Sequence, residues 1–396
     1  MSTITHQIEV FLDSSILTTE APLMLLQELI RIPSVNPDNI ATDQIEVSGE
    51  KRMADFLSNW LQELGAEVTL EEVLPDRPNL IARFSPLDGR PRILLGPHLD
   101  TVGVENMTID PFSAEIRDGK IWGRGSCDTK GPMAAMLAGL EANRNILKDL
   151  PIAVDFVGFM GEEASQHGSK HFAQHHASNY QFALVGEPTS LQIVHTTKGS
   201  LWAKLSTTGA AAHASQPEHG ENAILKLSSA LIQLQENLEP ALAVYSNETL
   251  GRSTINIGTI AGGTRPNIVP DEASAVIDIR QTPELYSSGG ALQLLRETIA
   301  QLRLPLEIEY AHENPPMETD TEDPFIQRLL NTDSSTQLTG APWFSDAAHL
   351  GAAGLPSICI GPGSIDQAHT KDEFIDLESY QQGEAFFSKF IRSLAE

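Results

Sequence analysis

The chain has 396 residues, 41% of them hydrophobic, enough to bury ample core and more than one core usually serves, so two domains are expected. Its 53 acidic and 26 basic side chains leave a formal charge of -27, which argues against nucleic acid or an anionic membrane as a partner and is compatible with simple solubility. Two cysteines, Cys127 and Cys359, are too few for a disulfide framework, and the N-terminal MSTITHQIEVFLD has no basic region followed by an apolar run, so a soluble cytoplasmic protein is expected.

The first predicted element is a helix near Pro22 to Ile32. Ser48 to Leu64 then sets Met53, Phe56, Leu57, Trp60 and Leu61 at helical spacing. Short apolar runs follow at Asn79 to Phe84 and Arg92 to Leu95. Next come a helix from Lys130 to Leu147, with Met133, Met136, Leu137 and Leu140 on one face, and a strand from Ile152 to Met160. Strands alternating with helices imply an α/β sheet between helical layers, whose ligands bind just beyond the carboxyl ends of the strands.

The pattern changes between about Leu191 and Pro315. Strands are expected at Ser200 to Thr208, Thr254 to Ile260, Ala273 to Arg280 and Leu306 to Ala311, with helices at Glu221 to Leu238 and Ala291 to Leu302. That order, βαββαβ, is one ferredoxin-like unit. Afterwards α/β character returns, with a strand at Pro356 to Ile360 and a closing helix at Leu377 to Leu394. The expected architecture is a three-layer α/β/α domain, residues 1–190 and 316–396, carrying an inserted α+β domain, residues 191–315.

Seven residues, His98, Asp100, Asp128, Glu162, Glu163, Glu187 and His369, each fall where a predicted strand or sharp turn ends. The run ILLGPHLD ends in an imidazole and a carboxylate two positions apart, a spacing that suits a metal-bound His oriented by a carboxylate, although a polar loop would read the same way. Asp128 closes the glycine-rich GRGSCDTKG. It could bridge two cations through its two oxygens, cap the following helix, or belong to a phosphate-binding loop, which the absence of full P-loop spacing disfavours. Glu162 and Glu163 follow an apolar strand, and in an extended segment would point to opposite sides, one toward a metal and one toward substrate; both could also be solvated loop acids. Glu187 precedes a proline as a turn acid might, and His369 lies in the loop after the strand PSICI. Singly, each has a bland explanation. Five candidate ligands (His98, Asp128, Glu163, Glu187, His369) at strand ends or turns form the nitrogen and oxygen set that zinc accepts. The remaining histidines, such as His171, His175 and His176, are expected to face solvent.

The ordered motifs PHLDTVG, GRGSCDTKG, GEE, GEPTS and QAH resemble those of the dizinc aminoacyl hydrolase and metallopeptidase family that contains acetylornithine deacetylase, succinyl-diaminopimelate desuccinylase, aminoacylase and glutamate carboxypeptidase. The resemblance spans nearly the whole chain. The segments Gly186 to Gln192 and Gly361 to His369 are most similar to the acetylornithine deacetylase branch, whereas Leu250 to Arg265 differs from it. The resemblance implies that two divalent ions, zinc first and cobalt or manganese as alternatives, are bridged by Asp128. His98 and Glu187 would complete one site, and Glu163 and His369 the other. Asp100 would orient His98 and Glu162 would act as base and then acid. His213 would reach across a homodimer made by the inserted domain, and Asn267 and Arg280 would contact substrate. Read without the family, these last three are an exposed loop His, a turn Asn and a strand-end Arg.

The implied reaction is hydrolysis of the amide of an N-acyl amino acid, N-acetylornithine first, with a place in arginine biosynthesis. Glu at position 187 fits deacylases and carboxypeptidases better than aminopeptidases. Desuccinylation of an N-succinyl diamino acid and C-terminal peptide cleavage are the enzymatic alternatives. The non-enzymatic one is a metal-poor binding or scaffold protein on the same fold, whose mark would be a missing ligand or base. None is missing here.

Overall fold

The computed structural model describes residues 20–39 and 48–396, and the N-terminal MSTITHQIEVFLD lies outside them. The central element is a nine-stranded mixed sheet. Its order is Glu67–Leu74, Arg77–Arg83, Ala153–Gly158, Arg92–Pro97, Phe182–Gly186, Ser357–Cys359, Ile193–Thr197 and Met317–Glu318, with Leu338–Ala341 also pairing to Ile193–Thr197. The four strands Ala153–Gly158, Arg92–Pro97, Phe182–Gly186 and Ser357–Cys359 run parallel to one another. They are buried on both faces, which explains why they read as continuous apolar runs rather than alternating ones.

The two faces nevertheless follow the pleat. Ile93, Leu95, Val154, Phe156, Phe182 and Leu184 pack on one side with helices Glu20–Arg31, Lys51–Glu63, Lys130–Ala142 and Leu377–Ser393. Leu94, Val157, Ala183 and Val185 pack on the other with helices His167–His175 and Ala347–Ala352. Each Val, Leu, Ile or Phe among them contributes about 1.5–3 kcal/mol. The helix expected to run from Lys130 to Leu147 stops at Ala142. Asn143 ends it by donating its side-chain amide to the carbonyls of Gly139 (2.8 Å) and Ser388 (3.0 Å), and a separate 3-10 turn, Leu147–Asp149, follows.

The expected βαββαβ unit is present as strands Gly199–Thr208, Thr254–Gly262, Glu272–Gln281 and Glu307–Asn314 with helices Ala223–Ala243 and Gly290–Leu302. The strand order is Thr254–Gly262, Glu272–Gln281, Gly199–Thr208, Glu307–Asn314, and every pairing is antiparallel. Alternate residues Leu201, Ala203 and Leu205 pack with Ile277, Ile279, Leu227, Leu234 and Leu295 in a core of their own, while Trp202 faces outward. We propose that the two sheets are two domains, 1–190 with 316–396 and 191–315; the strands themselves cross between sheets at Lys198 and at Pro315–Pro316. These crossings touch, since a Cβ on Gly199 would lie 2.5 Å from the Asn314 carbonyl and 2.6 Å from the Pro316 nitrogen. No described helix is long and apolar enough to cross a membrane.

Candidate metal centre

Three neighbouring parallel strands deliver the first residues. His98 follows Arg92–Pro97 and pairs with Phe159, beyond Ala153–Gly158, so that the segment carrying Glu162 and Glu163 lies beside it; Glu187 follows Phe182–Gly186. The glycine-rich loop adds Asp128, and the loop after Ser357–Cys359 adds His369.

These side chains converge. His98 Nε2 lies 3.0 Å from Asp128 Oδ1, and His369 Nε2 lies 3.4 Å from Asp128 Oδ2 and 3.0 Å from Glu163 Oε2. Two sets of potential ligand atoms result, His98–Asp128–Glu187 and Asp128–Glu163–His369, each with all its atoms within 4.8 Å of one another. Asp128 belongs to both and turns one oxygen to each histidine. His98, Asp128 and Glu187 are buried, whereas the His369 side chain is 55% exposed and leaves one side of the centre open to solvent.

The electrostatics show how the cluster is balanced. Burial raises the carboxyl of Glu163 to about 7, aided by the neighbouring Asp128. Burial likewise pushes Glu187 well above the ordinary range, with Asp128 adding to it, and Glu162 likewise, with Glu187 adding to it. Hydrogen bonds to Asp128 and Glu163 push His369 up to about 10. Burial opposes charge on both His98 and Asp128, yet their hydrogen bonds, to each other, from His98 to Asp100 and from His369 to Asp128, hold the imidazole well above its usual value and the carboxyl below. Four acids crowd two bases, so protons on the imidazoles and carboxyls carry the compensation that bound cations could supply instead. The donor set fits two divalent cations.

Asp100 stands elsewhere than its spacing suggested. The acceptor for His98 Nδ1 is the Asp100 main-chain carbonyl at 2.9 Å, and the Asp100 carboxylate is 3.6 Å away. That carboxylate accepts the backbone N–H groups of Glu162 (3.1 Å) and Glu163 (3.0 Å) and the Asn36 side-chain amide (2.7 Å). Glu162 and Glu163 accordingly sit in a turn, not in the extended segment expected. Gly161 adopts φ +77, and its carbonyl accepts Ser165 N and Gln166 N, which bends the chain directly after the strand. Glu162 is in neither ligand set and remains half-buried beside both.

Two of the alternatives for Asp128, a phosphate-binding loop and a helix cap, are set aside by its loop. The backbone N–H groups of Gly125, Cys127 and Asp128 point at the buried carboxylate of Glu373, so this anion cradle is filled by the chain itself rather than by phosphate. The residue at the N-cap of the following helix is Thr129.

The other three site candidates lie on the inserted unit. His213 and Asn267 are exposed neighbours at one end of its sheet: His213 bridges to Ile268, Ala214 N donates to the Asn267 carbonyl (3.1 Å), and His213 Nδ1 meets Ser215 Oγ (2.7 Å). Arg280 is at the other end, opposite Ser200 and Thr254, paired with Asp278 at 3.0 Å. The strand between them, Glu272 to Arg280, spans roughly 25 Å. Two histidines expected in solvent are half-buried instead, His176 lying 2.9 Å and His171 3.4 Å from Glu71; His175 is exposed. Asn36 and Glu373 escaped the sequence reading, for neither has a local spacing that relates it to its partners.

Residues 94–393 match the model of peptidase family M20/M25/M40. The acetylornithine deacetylase of Proteus mirabilis (strain HI4320) is 33% identical over 370 residues, covering 89% of this chain and 91% of that protein. The acetylornithine deacetylase of Photorhabdus laumondii subsp. laumondii is 31% identical over 372 residues, with 89% and 92% covered. Among solved structures, the M20 family metallo-carboxypeptidase Sso-CP2 from Sulfolobus solfataricus superposes with a TM-score of 0.77 at 18% identity, covering 95% of this chain and 99% of that one. The aminopeptidase PepT from Bacillus cereus gives 0.72 at 21%, covering 96% and 99%. At these identities the structural likeness is one of fold.

Proposed function

This chain belongs to peptidase family M20/M25/M40, and from that premise we propose that it is a two-metal hydrolase that removes the acetyl group of N-acetylornithine. The observation that carries this reading is the pair of ligand sets sharing Asp128, with Glu162 beside both and part of neither. The acetyl group and ornithine are favoured because curated relatives named acetylornithine deacetylase align over about nine-tenths of both chains.

In this reading two divalent ions, zinc first, would be held by His98 with Glu187 and by Glu163 with His369, Asp128 being shared by both sets. When bound, such ions polarise the scissile carbonyl and acidify water. Glu162 takes the proton of the attacking water and returns it to the departing amine, a task suited to a carboxyl whose affinity for protons is raised by burial and by Glu187. Asp100 holds the turn that aims Glu162, through its bonds to two successive N–H groups.

His213 and Asn267 come from the second protomer of a homodimer, His213 to stabilise the oxyanion and Asn267 to contact the carbonyl, while Arg280 binds the α-carboxylate. The dimer is supported by Leu225 and Ile232, 68% and 59% exposed on helix Ala223–Ala243, and by Ile260, 56% exposed on the edge strand Thr254–Gly262.

One observation favours desuccinylation as a second reading. Lys198 donates to the Arg252 carbonyl at 2.6 Å, and after burial the charges of Arg252 and Arg280 are what depress its affinity for protons. Three neighbouring cations suit a substrate with a second carboxylate. Amine release from N-acetylornithine, N-succinyl-diaminopimelate and a peptide with C-terminal glutamate separates the readings: fastest turnover of the first is expected, and preference for either of the others overturns the acetyl assignment.

A further inference from the structure

We infer that Glu373 is a positioning residue for the metal centre, tying the loop that carries His369 to the loop that carries Asp128. This rests on the reading of those residues as ligands given above.

Glu373 is fully buried and lies four residues beyond His369. Its Oε1 accepts Cys127 N (2.9 Å) and Asp128 N (3.0 Å), and its Oε2 accepts Gly125 N (3.0 Å) and Arg124 Nη1 (2.7 Å). Its own carbonyl accepts Gly123 N at 3.0 Å. One residue therefore satisfies donors from Gly123, Arg124, Gly125, Cys127 and Asp128. Gly125, at φ +81, makes that convergence possible, since a Cβ there would press on Thr101 and Lys130. Arg124 extends the tie to a third loop by donating Nε to the Gly103 carbonyl (3.1 Å), just beyond His98 and Asp100.

The Asp128 backbone cannot shift without breaking a charge-assisted bond to a carboxylate that water cannot reach to replace. The same carboxylate fixes the end of the loop on which His369 rides, four residues beyond that histidine. Glu373 thus sets the separation of two members of the Asp128–Glu163–His369 set without touching an ion or substrate.

The test is metal binding, which needs no substrate. Glu373→Gln keeps the shape but presents N–H to N–H. Two ions are expected in the parent protein. In the variant the affinity for one of them should fall about 10–100-fold, as is usual when a group behind a ligand is lost, with kcat reduced and KM little changed. Asp155→Asn is the control for lost stability alone. It breaks the buried Arg92–Asp155 pair at the opposite end of the strands, and should lower the unfolding temperature while leaving both ions at parent affinity. If Glu373→Gln does not fold, Arg124→Lys, which keeps the charge but not the paired geometry, should weaken the same ion. Parent affinity for both ions in a folded Glu373→Gln or Arg124→Lys protein overturns the inference alone. A parent protein that takes up no metal overturns the reading of the centre and this inference with it.

Discussion

Asp100 and Glu373 do similar work at the two halves of the centre: each is a buried carboxylate that spends its oxygens on successive backbone N–H groups and so fixes a turn that bears functional acids. Burial opposes the charge of both: in Asp100 the neighbouring His98, the Asn36 amide and the Glu163 N–H outweigh it and hold the carboxyl below its ordinary range, whereas in Glu373 burial prevails over Arg124 and the backbone donors and the carboxyl is raised. A different buried group, His349, has no such help. Its Nε2 is buried without a hydrogen-bond partner, its ring packs edge-on against Phe344, and burial, reinforced by Lys170, lowers it to about 3. In the unfolded chain it titrates near 6.5, roughly as any histidine does. Between those values the unfolded state binds a proton that the native state refuses, so stability falls as pH drops through the window, by up to about 1.4 kcal/mol per pH unit. His349→Phe should flatten that dependence by close to one proton when denaturant midpoints are followed from pH 6.5 to 4; equal slopes in both proteins would show that His349 is protonated in the native state. His98, Glu163, Glu187 and His369 were legible as candidates because they follow apolar runs that are parallel strands, and Asp128 because it closes a glycine-rich turn. Asn36 and Glu373 were not, because their partners lie 64 and 245 residues away and only the folded chain relates them.

At the scale of elements, helix His167–His175 is set against the end of strand Ala153–Gly158 with no room between. Asn79 bridges them, donating to the Gly168 carbonyl at 2.9 Å and accepting Met160 N at 3.0 Å. A Cβ on Gly168 would fall 2.5 Å from Asn79 Oδ1 and 2.6 Å from Met160 N, atoms that cannot yield cheaply. Gly168→Ala should therefore cost about 1–3 kcal/mol in denaturant unfolding. It should also lower kcat, since the turn carrying Glu162 and Glu163 connects the two displaced elements; parent stability and turnover would contradict this account of the junction. The strands Arg92–Pro97, Ala153–Gly158 and Ser357–Cys359, the strands of the inserted unit and the long helices were legible as apolar runs and 3.6-residue spacing, whereas short elements such as helices His167–His175 and Ala347–Ala352 and strands Ile193–Thr197 and Leu338–Ala341 were not. Two further features escaped for identifiable reasons. Asn143 ends a helix whose apolar pattern continues, because a side-chain bond to backbone competes with the next turn. The strand Glu67–Leu74 has no fully buried residue and carries three glutamates, so no apolar run announces it.

For the whole molecule, the insertion of a βαββαβ unit was legible because its element order is self-contained, and its separate core agrees. The placement of His213 with Asn267 at one end of that unit, and of Arg280 at the other, was not, since it follows from strand direction and not from motif. It makes a whole-molecule prediction. If His213 and Asn267 serve the partner's centre, a Glu162→Gln protein and a His213→Ala protein, each nearly inactive alone, should regain activity when their subunits are exchanged, because the mixed dimer contains one intact centre served by one intact His213. Absence of any gain, with exchange verified by mass, would place His213 outside the reaction or in the same chain's centre.

The central claim is that hydrolysis depends on the cations held by Asp128 and its four companions. The most direct measurement is release of ornithine from N-acetylornithine while zinc is titrated into chelator-stripped protein, with bound metal counted at each point. The account predicts no turnover in the stripped protein and activity that rises and saturates as two ions per chain are bound. Turnover that survives complete removal of metal, or two tightly bound ions with no release from N-acetylornithine or any other N-acyl amino acid, would contradict it.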